Sequence, residues 1–202
     1  SRAVFDAAPK GFGKLRKQVA DTKPTVLVIG YGSNAAYEGE AGLSAFIAGY
    51  NRLLDALSDT GARMALVSPI HLEKKKPPLP DPSSQNENLA LYSAAISKLA
   101  AERKLFFVDL FKRLRAGSSG EQLTSNGIHL NALGYLMAGR LMAGRIGSSS
   151  QATKLTIDAG KPGVVSIQGG KVDSLEAAGG GVRFKLHRDR LPRFSIQGGI
   201  DE

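Results

Sequence analysis

"TVLVIGYGSNAAYEG", residues Thr25 to Gly39, carries the reading of the fold. Its opening is a β-branched, apolar run that stops at Gly30 without alternating polar residues. A run of that kind suits a parallel-sheet strand covered on both faces, since a half-buried strand alternates. "ARMALVSP" at Ala62–Pro69 and "KLFFVDL" at Lys104–Leu110 repeat the form. Between the strands stand helical patterns. Leu43, Phe46, Ile47, Tyr50, Leu53, Leu54 and Leu57 lie on one stripe, and Gly61 is placed as a helix stop. "ENLALYSAAISKLAAERK", Glu87–Lys104, predicts a second helix. "NALGYLMAGRLMAGRIG", Asn131–Gly147, predicts a third with Asn131 as its N-cap. Strand and helix alternate from Thr25 to about Gly147, which predicts an α/β layer of parallel strands with right-handed crossovers.

Two segments depart from that alternation. "HLEKKKPPLPDPSSQNEN", His71 to Asn88, is rich in Pro, Lys and small polar residues and reads as a long surface loop. It leaves the carboxyl end of a strand, the edge where open α/β sheets place their sites. After "GSSSQAT" the composition shifts to "KLTIDAG", "GVVSIQGG", "GVRFKLH" and "RFSIQGG", short alternating runs parted by glycine pairs. They predict a small antiparallel β unit, with "SIQGG" at Ser166 and again at Ser195 as two strand-and-turn copies. The expected organisation is an α/β domain over 1–148 and a glycine-rich β unit over 149–202, each cut short at its outer end.

The 202 residues include no cysteine, which removes disulfides, thiolate ligands and a cysteine nucleophile. The three histidines have no metal-ligand spacing, so neither metal nor cofactor is expected. A formal charge of +9 raises the question of nucleic acid. Apart from Lys74–Lys76 and the group Arg188, Arg190 and Arg193, the basic residues are scattered and no recognition motif accompanies them. The expectation is a solvated basic surface without nucleic acid as partner. No apolar run approaches the ~18 residues that span a bilayer, and no signal peptide is visible in the chain, which leaves the compartment open, export included.

Chemistry concentrates in two places. In "GYGSNAAYEG", Gly32 and Asn34 sit just past a strand end. A glycine N–H and an asparagine amide are both neutral donors suited to the negative oxygen of a tetrahedral intermediate. In "SNGIHLNALGY", His129 precedes a helix start. Asn126, three positions earlier across a turn at Gly127, is placed to orient the imidazole. "GYGSNA" also fits the dinucleotide fingerprint G-x-G-x-x-A, but "YEGEAG" intervenes before the helix and no acidic strand end follows about twenty residues on. His71 reads as a loop residue and His187 as a surface strand residue.

"VLVIGYGSNAAYEG" resembles the G-x-N(-D) block, and "SNGIHLNALGY" the D-x-x-H block, of the SGNH (GDSL-type) esterases and lipases, over roughly Thr25 to Gly147. The resemblance implies a flavodoxin-like three-layer α/β/α sandwich with a parallel sheet. It also implies hydrolysis of a small-molecule or glycan ester, acetyl or another short acyl group, without a metal. By it Asn34 and Gly32 are oxyanion residues and His129 is the catalytic histidine. Two departures stand out. Asn126 occupies the acid's place, with Asp109 at a strand end as the substitute considered. The Gly-Asp-Ser nucleophile block, on the family's first strand, is missing. The expectation is a chain whose first strands are lost, with little hydrolysis of its own. A degenerate scaffold carrying a glycan- or protein-binding β module is the rival, and Ser33 as nucleophile the third option.

Overall fold

The computed structural model describes residues 9–115, 120–146, 153–158, 160–161 and 163–189. Contacts divide the chain into two compact units, Ser1–Gly147 and Ser148–Glu202. In the first, the order is α1 (Pro9–Thr22), β1 (Val26–Gly30), a 3-10 turn (Ala35–Glu38), α2 (Gly39–Leu57), β2 (Arg63–Val67), α3 (Ser83–Glu102), β3 (Phe106–Val108), α4 (Leu110–Arg113) and α5 (Ala132–Ile146). The three strands form one parallel sheet in the order β1-β2-β3, with Val26 opposite Arg63 and Val67 opposite Val108.

Side chains alternate across a strand, and the two faces of the sheet are covered differently. Leu27, Ile29, Met64, Leu66 and Phe107 turn toward α2 and α3. There they meet Phe46, Tyr50, Leu53 and Leu54 from α2 and Tyr92, Ile96 and Leu99 from α3. Ala65, Val67 and Val108 point the other way, where α5 lies beside β3 with Met137, Ala138 and Leu141 buried. These are the helix, sheet and helix layers of a three-layer α/β/α sandwich. In β2 every residue from Met64 to Val67 is buried, as a doubly covered strand requires. β1 departs from that expectation: only Ile29 is buried and Val28 is 50% exposed. Among the described residues it pairs with β2 alone, and the described helices cover one of its faces.

Tertiary contact overrides weak helix propensity in α2. Glycines 42 and 49 each cost about 0.5–1 kcal/mol relative to alanine in a helix, whereas burying a leucine or phenylalanine contributes about 1.5–3 kcal/mol. The buried stripe Phe46, Tyr50, Leu53, Leu54 and Leu57 therefore decides the outcome. Gly42 is also required sterically, since a Cβ there would stand 2.6 Å from the Glu38 Cβ and 2.9 Å from the Tyr92 hydroxyl. The two buried tyrosines satisfy their hydroxyls on backbone carbonyls, Tyr50 donating to Ile29 O and Tyr92 to Gly39 O, each at 3.0 Å. Gly61 takes a left-handed φ of 68° just past the helix, as a stop should. α3 begins at Ser83, ahead of the predicted Glu87, because Asp81 Oδ1 accepts from both Ser83 N (2.9 Å) and Ser83 Oγ (2.5 Å).

The second unit consists of two antiparallel hairpins, β4 (Lys154–Asp158) with β5 (Gly163–Gln168) and β6 (Gly170–Ala178) with β7 (Gly181–Arg188). Gly179 and Gly180 connect the latter pair with φ of 56° and 79°, a two-residue turn open to glycine and little else. β6 was not legible in the sequence. "KVDSLEAA" mixes strand and helix formers, and a register shift at Asp173 breaks its alternation. The second "SIQGG" lies outside the described residues. None of the described residues of this unit is buried.

Candidate functional site

β1 ends at Gly30 and delivers the chain to a tight turn at the carboxyl edge of the sheet. Gly32 is buried there with φ of 121°. A Cβ at this position would lie 3.1 Å from Pro69 Cγ and 3.2 Å from Ile96 Cδ1, so both conformation and space select glycine. Its carbonyl accepts from Ala36 N at 2.9 Å, fixing the turn that presents Asn34. Asn34 is exposed, and although it stands at the cap of the 3-10 turn its side chain makes no capping bond. The amide hydrogens remain available to an external acceptor.

The histidine lies in a second turn, closed by an isolated bridge between Thr124 and Leu130 and by Ser125 N donating to His129 O at 2.9 Å. Asn131 caps the helix that follows, its Oδ1 accepting from Gly134 N at 2.9 Å, and its amide donates to Gln122 O at 2.7 Å. Gly134 admits the backbone of this segment: a Cβ there would stand 2.2 Å from Leu123 O. Asn126 Oδ1 accepts from Ile128 N (3.2 Å) and His129 N (2.9 Å), which fixes the orientation of the amide. His129 Nδ1 then lies 3.0 Å from Asn126 Nδ2 and 3.2 Å from Asn126 Oδ1. Each imidazole tautomer finds a partner. Nδ1–H donates to Oδ1 and leaves Nε2 as a base; bare Nδ1 accepts from Nδ2 and leaves Nε2 carrying the proton.

The loop after β2 joins the two turns. Pro69 packs on Gly32, and a few residues later Glu73 N donates to Gly127 O at 3.0 Å. Leu72 is gripped from α3 by Asn86, whose Oδ1 accepts from Leu72 N (2.8 Å) and whose Nδ2 donates to Leu72 O (2.9 Å). Glu73 then turns its carboxylate toward the histidine segment, accepting from Leu123 N (2.6 Å), Thr124 N (3.0 Å), the Thr124 hydroxyl and Lys75 Nζ (3.1 Å). Lys75 Nζ also donates to Gln122 Oε1 (2.6 Å) and Thr124 O (2.8 Å). The two charged side chains are only 16% and 10% exposed.

Burial raises the Glu73 carboxyl pKa, but the bonds from Thr124, Leu123 and Lys75 outweigh it and hold the group below its usual value of 4.5. A carboxyl depressed by folding adds stability that is complete above its unfolded pKa and is lost as pH falls through the folded one. Unfolding midpoints followed from pH 7 to pH 3 will show an acid-side loss below about pH 4.5. In Glu73→Gln that part of the slope is removed, and the variant is less stable at neutral pH by about 1.5–3 kcal/mol, the worth of one bond to a charged group.

Sequence reasoning missed Glu73, Lys75 and Thr124. "HLEKKK" reads as a solvated charge run, yet in an extended segment Glu73 and Lys75 share one side, and that spacing of two was the available signal. Asp109 is a helix cap, its Oδ1 accepting from Lys112 N at 3.0 Å, and it makes no bond to His129. His71 packs against Phe111 with ring centroids 5.5 Å apart and planes inclined at 49°; burial first, then the nearby Arg115 charge, lower its pKa. His187 is exposed on β7 and pairs with Asp173 at 2.5 Å. Ser33 is exposed in the turn beside Asn34. Among the described residues no hydroxyl bonds the His129 ring, and no helix is long and apolar enough to cross a membrane.

Solved structures share this fold. A gut microbial diltiazem-metabolizing enzyme superposes with a TM-score of 0.62 at 16% identity, over 91% of this chain and 49% of its own. A catalytic mutant of an acetylxylan esterase from Geobacillus stearothermophilus, with an aspartate changed to alanine, superposes with a TM-score of 0.57 at 16% identity, over 70% of this chain and 68% of its own. Other catalytic mutants of that esterase replace a serine, and a histidine three positions beyond the aspartate. In sequence, the isoamyl acetate-hydrolyzing esterase of Saccharomyces cerevisiae is 44% identical over 52 residues, 25% of this chain and 22% of the esterase. The chain thus spans less than half of the diltiazem-metabolizing enzyme and under a quarter of the yeast esterase. Residues 5–137, well over half of the chain and inclusive of both turns, match the model of the GDSL-like Lipase/Acylhydrolase family, and to that family the chain belongs.

Proposed function

We propose that the protein hydrolyses carboxylic esters of short acyl groups, acetyl foremost, with His129 as general base and acid and with Asn34 and Gly32 as oxyanion donors. The observation that carries this reading is the junction of the two turns: the loop after β2 packs on Gly32 at one end and bonds the backbone of Gly127 at the other. The relatives' substrates support the acyl group, since one is named for isoamyl acetate and another for acetylxylan.

In the proposed reaction a serine hydroxyl attacks the ester carbonyl while Nε2 of His129 takes its proton. The family supplies that serine from a Gly-Asp-Ser block, a tripeptide absent from these 202 residues. The carbonyl oxygen becomes an anion held by Asn34 Nδ2–H and Gly32 N–H, and His129 returns the proton to the departing alcohol. Water repeats the sequence on the acyl-enzyme, so one ester and one water give one acid and one alcohol. We assign this chemistry to the domain over 1–148 and none of it to the glycine-rich unit over 149–202. Asn126 is assigned the orienting of the imidazole.

Hydrolysis of p-nitrophenyl acetate by the full-length protein and its Asn34→Ala variant tests the assignment. Loss of one oxyanion donor lowers kcat by roughly 10² to 10³ and leaves KM nearly unchanged, because the donor acts on charge that develops only in the transition state. A KM effect without a kcat effect would move Asn34 from the oxyanion to ground-state binding.

A further inference from the structure

The chemistry assigned to His129 leaves a costly feature unexplained: a nearly buried ion pair, Glu73 with Lys75, that touches neither the ring nor the oxyanion turn. Ion pairs at this depth are weak sources of stability, because desolvating both charges offsets their attraction unless every remaining donor and acceptor is satisfied. Here all of them are. The three ammonium hydrogens of Lys75 meet Glu73 Oε2, Gln122 Oε1 and Thr124 O. Glu73 Oε1 takes Leu123 N, and Oε2 takes Thr124 N and the Thr124 hydroxyl. The pair thus reads the backbone donors of the segment before His129 with the carboxylate and a backbone acceptor with the ammonium, where a sheet would use a neighbouring strand.

The contacts continue toward the imidazole. Thr124, 3% exposed, gives its hydroxyl hydrogen to Glu73, and the same oxygen accepts from Gly127 N at 3.0 Å. Gly127 has φ of 90°, and a Cβ on it would stand 2.8 Å from Glu73 O. The next two N–H groups, of Ile128 and His129, end on Asn126 Oδ1, the amide that meets the ring. At its other end Glu73 follows Leu72, which Asn86 of α3 holds by both backbone groups.

We propose that Glu73, counter-charged by Lys75 and acting through the Thr124 hydroxyl, is a positioning residue for His129: it fixes the turn that aims the imidazole at the oxyanion donors. The Thr124 hydroxyl donates to the carboxylate and accepts from Gly127 N, which pins the turn one residue beyond Asn126, the residue that holds the ring. The inference rests on the ester-hydrolase reading above and is tested separately from it.

The experiment uses the full-length protein with p-nitrophenyl acetate and follows the His129 imidazole by NMR, assigned through His129→Ala. Thr124→Val keeps the shape and removes the hydroxyl, Thr124→Ser keeps the hydroxyl, and Glu73→Gln leaves Lys75 without its charge partner. Thr124→Val and Glu73→Gln lower kcat 10- to 100-fold with KM within about twofold, as loss of alignment does. Thr124→Ser restores kcat to within about threefold of the parent. In the two impaired variants the His129 resonances shift and broaden. If Glu73→Gln does not fold, Thr124→Val and Lys75→Met carry the same test. An active parent with undiminished kcat in these variants, or unaltered His129 resonances in them, overturns the positioning role. A parent without hydrolysis sinks the hydrolase reading, a rate untouched by His129→Ala strikes the imidazole from it, and in either case the resonances decide the positioning of His129 on their own.

Discussion

Replacing His129 by alanine lowers kcat/KM of the full-length protein for p-nitrophenyl acetate by roughly 10⁴ to 10⁶. A positioned general acid-base contributes about 10² to 10⁴, and removing the base that a serine depends on costs more, since the hydroxyl then loses its activation as well. The substitution is clean. His129 is exposed, its ring bonds Asn126 alone among the described residues, and the backbone bonds that shape the turn (His129 N to Asn126, Ser125 N to His129 O) survive in alanine. The unfolding free energy should therefore change by no more than about 0.5 kcal/mol, as for an ordinary surface residue. His187→Ala serves as the control: it removes a histidine from β7 in the other unit and leaves the rate as it was. Equal rates for the parent and His129→Ala would strike the imidazole from the mechanism.

The parts of the fold that the sequence disclosed are those with a strong local period. The stripe from Leu43 to Leu57 and the apolar run Met64–Val67 are legible because helix and strand periods differ and each segment is long enough to show its own. β1 misleads for the same reason it is recognised: "TVLVIG" is as apolar as β2, and composition does not say how many neighbours a strand has. At the proposed site, Asn34, Asn126 and His129 stood out because each is a polar residue in a turn beside a glycine, just past a strand or just before a helix, where side chains are free to act. Glu73 and Thr124 stayed hidden because their role is defined by each other across 51 positions, and no local pattern records such a pairing.

Asn126→Asp raises kcat/KM by about 10² to 10⁴, the reverse of the loss that an aspartate-to-asparagine change produces in serine proteases. The geometry gives the direction. Asn126 offers His129 Nδ1 both a donor at 3.0 Å and an acceptor at 3.2 Å, so the amide does not discriminate between tautomers, and only the one with Nδ1 protonated leaves Nε2 free to accept a proton. A carboxylate offers acceptors alone. One oxygen keeps the bonds from Ile128 N and His129 N, and the other, standing where Nδ2 stands now, takes Nδ1–H. The same charge stabilises the imidazolium that forms as the serine proton moves, which an amide cannot do. Measuring kcat/KM between pH 5 and pH 9 for parent and variant tests this. A gain at the plateau of the rate profile is the expected result; a variant no faster than the parent at any pH would mean that another group already orients the ring, and Asn126 would then be a turn residue with no part in catalysis.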